Sequence, residues 1–253
     1  MFKNPTVDKL RDMRLYNMAD DFLHPQAGEE ALSFEDRFSL LVERQWYAKK
    51  SFKTKRLQAK AKLSQVACLE DIEYGEGRNI NRKEITSIGT CMFIDQRFNI
   101  IISGKTGSGK SYLACAIGTA ACRNGYSTLY FRLPELFAEL ALARIEQRYS
   151  RFMTSLRKIN VLIIDDIGLR NYSHDEARDL LEIAEIRYNR SSTIFVSQIP
   201  HDKWYELLPD PTIADAFMDR IVHNSHNIDL DSTISMREIM AQKRMKLLDL
   251  NEN

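Results

Sequence analysis

The stretch GKTGSGKS (104–111) places three glycines within six residues, between the apolar run FNIIIS (98–103) and the helix-forming YLACAIGTAACRNG (112–125). Such a chain has to leave a strand, turn sharply and enter a helix, because glycine admits backbone conformations closed to other residues. Further β-rich runs follow at STLYFR (127–132), VLIID (161–165), TIFVS (193–197) and NIDL (227–230), each separated from the next by enough chain for a helix. Continuous apolar strands alternating with helices predict a parallel sheet covered on both faces, an α/β domain. The helices between them carry local punctuation. Gly125 ends the first, Ser173 and Glu176 form a capping box for a helix over 174–189, and Asp210 before Pro211 reads as a cap and first helical residue.

The residues before this domain read differently. Val7, Leu10, Leu15, Met18 and Phe22 approximate a 3.6-residue period that predicts one helix beginning after Thr6 and ending at HPQAG (24–28). A second helix is expected from Ser33, whose hydroxyl can cap Asp36, with Phe34, Phe38, Leu41 and Val42 on one side. Two glycines in EYGEGRN (73–79) mark a hinge, so the expected division is a helical domain over 1–70 and an α/β domain over 71–253.

Composition excludes several classes. With 44% hydrophobic and 28% charged residues among 253, and no apolar stretch near the length needed to cross a bilayer, no membrane insertion is expected. The N-terminal residues lack the apolar core of a signal peptide, and a cytoplasmic location is the expectation. Cys68, Cys91, Cys115 and Cys122 have no metal-ligand or disulfide-framework spacing and read as reduced thiols; His223 and His226 lack a third ligand. The net charge of +1 hides a local field: residues 44–62 carry eight Lys and Arg and no acid, whereas residues 1–43 are net acidic.

The glycine-rich bend fits G-x-x-x-x-G-K-[ST] at Gly104, Gly109, Lys110 and Ser111. A polyphosphate is densely anionic and needs many donors converging without side chains in the way. A glycine loop that leads into a helix N-terminus supplies unpaired amides and a favourable dipole. The expected nucleotide contacts are Gly104, Lys105, Thr106, Gly107, Ser108, Gly109, Lys110, Ser111 and Tyr112, with Lys110 on the β- and γ-phosphates and the Ser111 hydroxyl on Mg²⁺. VLIIDDIG (161–168) adds two carboxylates at a strand end beside the cradle. Asp165 is expected to hold Mg²⁺ through its water shell, and Asp166 to face the γ-phosphate and position a water. ATP and Mg²⁺ are therefore the expected ligands.

The cradle, LIIDDIG, RYNRSSTIFVSQIP and DPTIADAFMDRIVHNSHNI, in this order and after the leader ALSFEDRFSLLVERQWYAKK, resemble the IstB-like ATPases. These are helpers of insertion-sequence transposases and kin of the DnaC helicase loaders within the AAA+ superfamily. The resemblance implies a P-loop NTPase of AAA+ type, with a five-stranded parallel sheet flanked by helices and preceded by a small N-terminal helical domain. It implies that 104–111 is the Walker A loop, that Asp165 and Asp166 are the Walker B pair, and that Gln198 stands where the family usually has an asparagine sensing the γ-phosphate. Ser197 is the alternative sensor. Arg220 matches an arginine delivered to the neighbouring subunit's nucleotide, with Arg187 and Arg190 as rivals and a dipole-complementing helix-end arginine as the bland reading. A full C-terminal lid does not fit in the residues after NIDLDST, where Arg237 approximates a second sensor.

The resemblance also implies double-stranded DNA and a transposase as partners, and a homo-oligomer with shared ATP sites. Two cationic stretches suit DNA backbone contacts of low sequence specificity: 44–62 with Trp46, Tyr47 and Phe52, and 144–158 with Arg144, Arg148, Arg151, Arg157 and Lys158. For the first, the alternative is a solvated face whose aromatics pack inward. The competing functions are a DnaC-like helicase loader, a P-loop kinase of small molecules, which would ignore DNA and depend on an acceptor, and a nucleotide-bound scaffold without useful hydrolysis.

Overall fold

The computed structural model describes residues 4–74, 79–230 and 236. It divides into two compact units, Met1–Arg56 and Leu57–Asn253. In the first, α1 (Pro5–Asp12) starts on the Asn4 side chain, which accepts from the Thr6 amide at 3.0 Å, and packs Val7 and Leu10 with Ala19 of α2 (Tyr16–Leu23). The single helix expected here is two, because Arg14 takes a left-handed φ of 58° and reverses the chain between them. The Ser33 cap forms as expected, accepting from the Asp36 amide at 3.2 Å and opening α3 (Phe34–Ala61), within which the boundary between units falls. The apolar side expected on α3 is not a core. Phe34, Phe38 and Val42 are exposed, and so are Trp46, Tyr47 and Phe52.

The second unit is a three-layer α/β/α sandwich. After α3 the chain forms α4 (Arg82–Gly89) and α5 (Met92–Asp95), two short helices. There follow β1 (Asn99–Gly104), α6 (Lys110–Arg123), β2 (Thr128–Arg132), α7 (Leu133–Ile145), α8 (Tyr149–Lys158), β3 (Val161–Ile167), α9 (His174–Arg187), β4 (Ser192–Ser197), α10 (Pro211–Val222) and β5 (Ser225–Leu230). The five strands are all parallel in the order β2-β3-β4-β1-β5. Alternation along each strand divides the core. Ile100, Ile102, Ile163, Ile194 and Val196 meet α6 on one face, whereas Ile101, Leu162, Ile164 and Phe195 meet α7 to α10 on the other.

Residues 57–74 belong with this second unit, although the hinge reading placed most of them in the leader. Ala67 and Ile72 lie in the core cluster on the α6 face, with Leu63 and Leu69 packed against it. The capping box at Ser173 and Glu176 and the Asp210 cap of α10 both form. All four cysteines are free thiols, and burial pushes the Cys91 thiol up to about 11. Among the described residues no helix is long and apolar enough to cross a membrane. The lid region and Arg237 lie outside the described residues.

Candidate nucleotide site

The bend after β1 is shaped by what cannot be there. Gly104 has φ +142°, and a Cβ added to it would stand 2.2 Å from the Leu230 carbonyl oxygen of β5. Only glycine lets β1 finish that close to its neighbour and still release the chain into the loop. Gly109 caps α6 with φ 94°, so the first turn of α6 opens toward the bend. Gly104→Ala is expected to lower stability by roughly 2–4 kcal/mol, read as a displaced midpoint in chemical denaturation.

Lys110 and Ser111 are the first two residues of α6. The Lys110 side chain is buried, and its Nζ donates to the Lys105 carbonyl at 2.8 Å, so the ammonium is directed back into the loop. Tyr112 instead packs against the apolar cluster on the α6 face, where burial raises its phenol above the ordinary value.

One expectation needs correction in its geometry. The strand that carries Asp165 is not adjacent to the cradle strand, since β4 lies between β1 and β3. Asp165 reaches the cradle side because it shares the face of Val161 and Ile163, against which α6 lies. It is 4% exposed, and its two oxygens accept from the Asp166 amide at 2.7 Å and the Tyr130 hydroxyl at 2.8 Å. Among the described residues Asp165 has no ion-pair partner. A buried carboxylate without a cationic side chain fits a site for a cation. Among the described residues no three His, Cys, Asp or Glu converge on a metal site. A hydroxyl and a carboxylate are oxygen donors of the kind that Mg²⁺ takes alongside phosphate oxygens and water.

Asp166 has a partner of its own. It sits at a register shift between β3 and β4 with φ 64°, and its carboxylate accepts from Arg132 Nε at 2.6 Å. The pair raises the guanidinium of Arg132 above its ordinary value. The sequence gives no sign of this partner, because Arg132 ends a different strand.

Alternation along the interposed strand β4 sends Ser197 and Gln198 to opposite faces of the sheet. Ser197 points to the face of α9 and α10, where its buried hydroxyl accepts from the Trp204 indole at 3.1 Å and the Ile199 amide at 3.1 Å. Its own proton is taken by the nearby carbonyls of Ile167 and Ile199. Ser197 is thus spent on holding the turn after β4. Gln198 points the other way, and its Oε1 accepts from the Thr106 hydroxyl of the bend at 2.8 Å. The longer arm does reach the cradle.

The arginines also separate. Arg187 is no trans-acting group: it is buried, donates to Thr193 Oγ1 and the carbonyls of Leu156, Ile159 and Ser192, and burial pushes it down to about 9. Arg190 is exposed. Arg220, at the end of α10, donates to the Ala216 carbonyl at 2.7 Å and pairs with Glu185 of α9 at 2.9 Å while remaining partly exposed. In the 144–158 stretch, Arg144 pairs with Asp179 and lies over the Tyr149 ring, and Arg148 pairs with Glu139 and Glu146. Only Arg151, Arg157 and Lys158 of that set remain exposed without a salt bridge among the described residues.

A family model described as "IstB-like ATP binding protein" matches residues 8–244. The chain belongs to the IstB-like ATP-binding proteins. It is 44% identical over 245 residues to the insertion-sequence ATP-binding protein y4pL of Sinorhizobium fredii, covering 96% of this chain and all of that one. It is 37% identical to the ATP-binding protein of insertion sequence IS1162 of Pseudomonas fluorescens, over 79% of this chain and 88% of the relative. Among solved structures, the DnaC helicase loader matches with a TM-score of 0.52 at 16% identity, over 65% of this chain and 97% of that one, which is a likeness of fold. The IstB-like family agrees with the cradle geometry, and ATP is the ligand that it supports.

Proposed function

We propose that this IstB-like protein is an ATPase that oligomerises on double-stranded DNA and directs a partner transposase to its target, acting in the cytoplasm. The observation that carries the reading is that the buried Lys110 and the Gln198 amide, through Thr106, both reach one bend, while on the α6 face Asp165 has no ion-pair partner among the described residues. Membership of a family whose close relatives are named for insertion sequences supports the transposition context.

In this reading the amides of 105–111 bind the phosphates of ATP and Lys110 bridges the β- and γ-groups. When bound, Mg²⁺ withdraws charge from the phosphate oxygens, and Ser111 and Asp165 are the residues that hold it. Gln198 registers the γ-phosphate through the contact it now makes with Thr106. Asp166 positions the attacking water once Arg132 releases it, and Arg220 of a neighbouring subunit exchanges Glu185 for the transferring phosphoryl group. Hydrolysis removes the contacts that hold subunits together, so it times the assembly.

For DNA, α3 is favoured over 144–158. Its cations from Lys49 to Lys60 form no ion pair with an acid among the described residues, and Trp46, Tyr47 and Phe52 stand in solvent. Lys50 lies over the Trp46 ring at 4.9 Å. Such a face suits counterion release along a phosphate backbone. The test is phosphate release across protein concentration with and without duplex DNA. A rate per subunit that rises with both is expected; a rate indifferent to both, or dependent on an added small acceptor, overturns the reading in favour of a kinase.

A further inference from the structure

Asp165 is held from two directions by donors that carry no charge. The Asp166 amide donates to Oδ1 at 2.7 Å, and the hydroxyl of Tyr130, on the adjacent strand β2, donates to Oδ2 at 2.8 Å. Tyr130 is 7% exposed and shares the α6 face with Ile163 and Cys115. In that contact the hydroxyl is the donor, because an ionised carboxylate oxygen only accepts. On the same face the Cys115 Sγ lies 3.3 Å from the Ser64 hydroxyl. Both contacts of Asp165 fix the orientation of the carboxylate without pairing it with a cationic side chain among the described residues. A carboxylate oxygen has two lone-pair directions, and each oxygen here has one taken, which leaves the others for a metal-bound water. Burial alone would be served equally by phenylalanine at 130, and the one proton that distinguishes tyrosine goes to Asp165.

We propose that Tyr130 is a positioning residue for the metal site: its hydroxyl fixes the plane of the Asp165 carboxylate so that the free lone pairs face the cation bound at the cradle. This rests on the reading of Asp165 as the metal-holding acid. Outer-shell donors of this kind set metal affinity by about 10- to 100-fold, through the orientation of the group they hold.

The test is the Mg²⁺ dependence of binding by a fluorescent ATP analogue, compared among the full-length protein and its Tyr130→Phe, Tyr130→Leu and Asp165→Asn variants. Tyr130→Phe is expected to raise the Mg²⁺ concentration for half-maximal binding by about 10-fold, while affinity for the analogue in EDTA stays within about twofold. Tyr130→Leu, which also lacks the hydroxyl, should give the same shift if Tyr130→Phe fails to fold. An unchanged Mg²⁺ requirement in Tyr130→Phe, alongside a raised one in Asp165→Asn, overturns the role of Tyr130 and leaves the metal reading intact. An unchanged requirement in all variants removes Asp165 from the metal site, and this proposal with it. Equal losses with and without Mg²⁺ show that Tyr130 only supports the fold.

Discussion

Replacing Lys110 by alanine is expected to weaken ATP binding by about 10- to 100-fold, the range for losing a charge-assisted hydrogen bond of about 1.5–3 kcal/mol. Phosphate release should fall further, by about 10²- to 10³-fold, because the same ammonium meets charge that grows on the phosphoryl oxygens during transfer. Lys110 is buried at the start of α6 and its Nζ donates to a carbonyl of the bend itself, so little reorganisation separates it from a bound phosphate. Equilibrium titration with a fluorescent nucleotide reads the first effect, and a phosphate sensor the second. If binding survives intact, the bend is only a strand-to-helix turn.

Arg220→Ala should leave nucleotide affinity within about twofold and reduce phosphate release by the DNA-bound assembly by roughly 10³-fold or more, the scale of an arginine supplied in trans. Within one subunit Arg220 is paired with Glu185, and that pair is too exposed for its loss to unfold the domain. The effect should therefore be on rate. Mixing Lys110→Ala with Arg220→Ala protein provides the sharper measurement. Each alone is inactive, but an interface formed by both can place an intact cradle against an intact arginine, so partial activity returns. No recovery on mixing, together with an Arg220→Ala rate like that of the unaltered protein, would leave this arginine as a clamp between α9 and α10.

What the sequence disclosed was local. The glycine spacing before Lys110, the caps at Ser33, Ser173 and Asp210, and the acid ending the third β-run each depend on residues a few positions apart, and each forms. What it concealed depends on strand order and on parity. Nothing near Asp165 says that β4 intervenes between its strand and the cradle, nor that Tyr130 and Arg132 of β2 take hold of the two carboxylates. Ser197 and Gln198 are equivalent as polar residues after a strand, until alternation sends one into a core and the other to Thr106. Arg187 looks like a surface cation in a polar segment, yet its guanidinium fills four backbone and side-chain acceptors inside the domain. The break at Arg14 and the helices α4 and α5 escaped because their apolar periods are short.

A crystal structure with a non-hydrolysable ATP analogue and MgCl₂ tests most directly whether the 104–111 bend holds a triphosphate with Mg²⁺ beside Asp165. The prediction is phosphate density within hydrogen-bonding distance of the loop amides and Lys110 Nζ, with a Mg²⁺ on Ser111 and a bridging water on Asp165. Density for the analogue elsewhere, with Lys110 Nζ still on the Lys105 carbonyl, would contradict it.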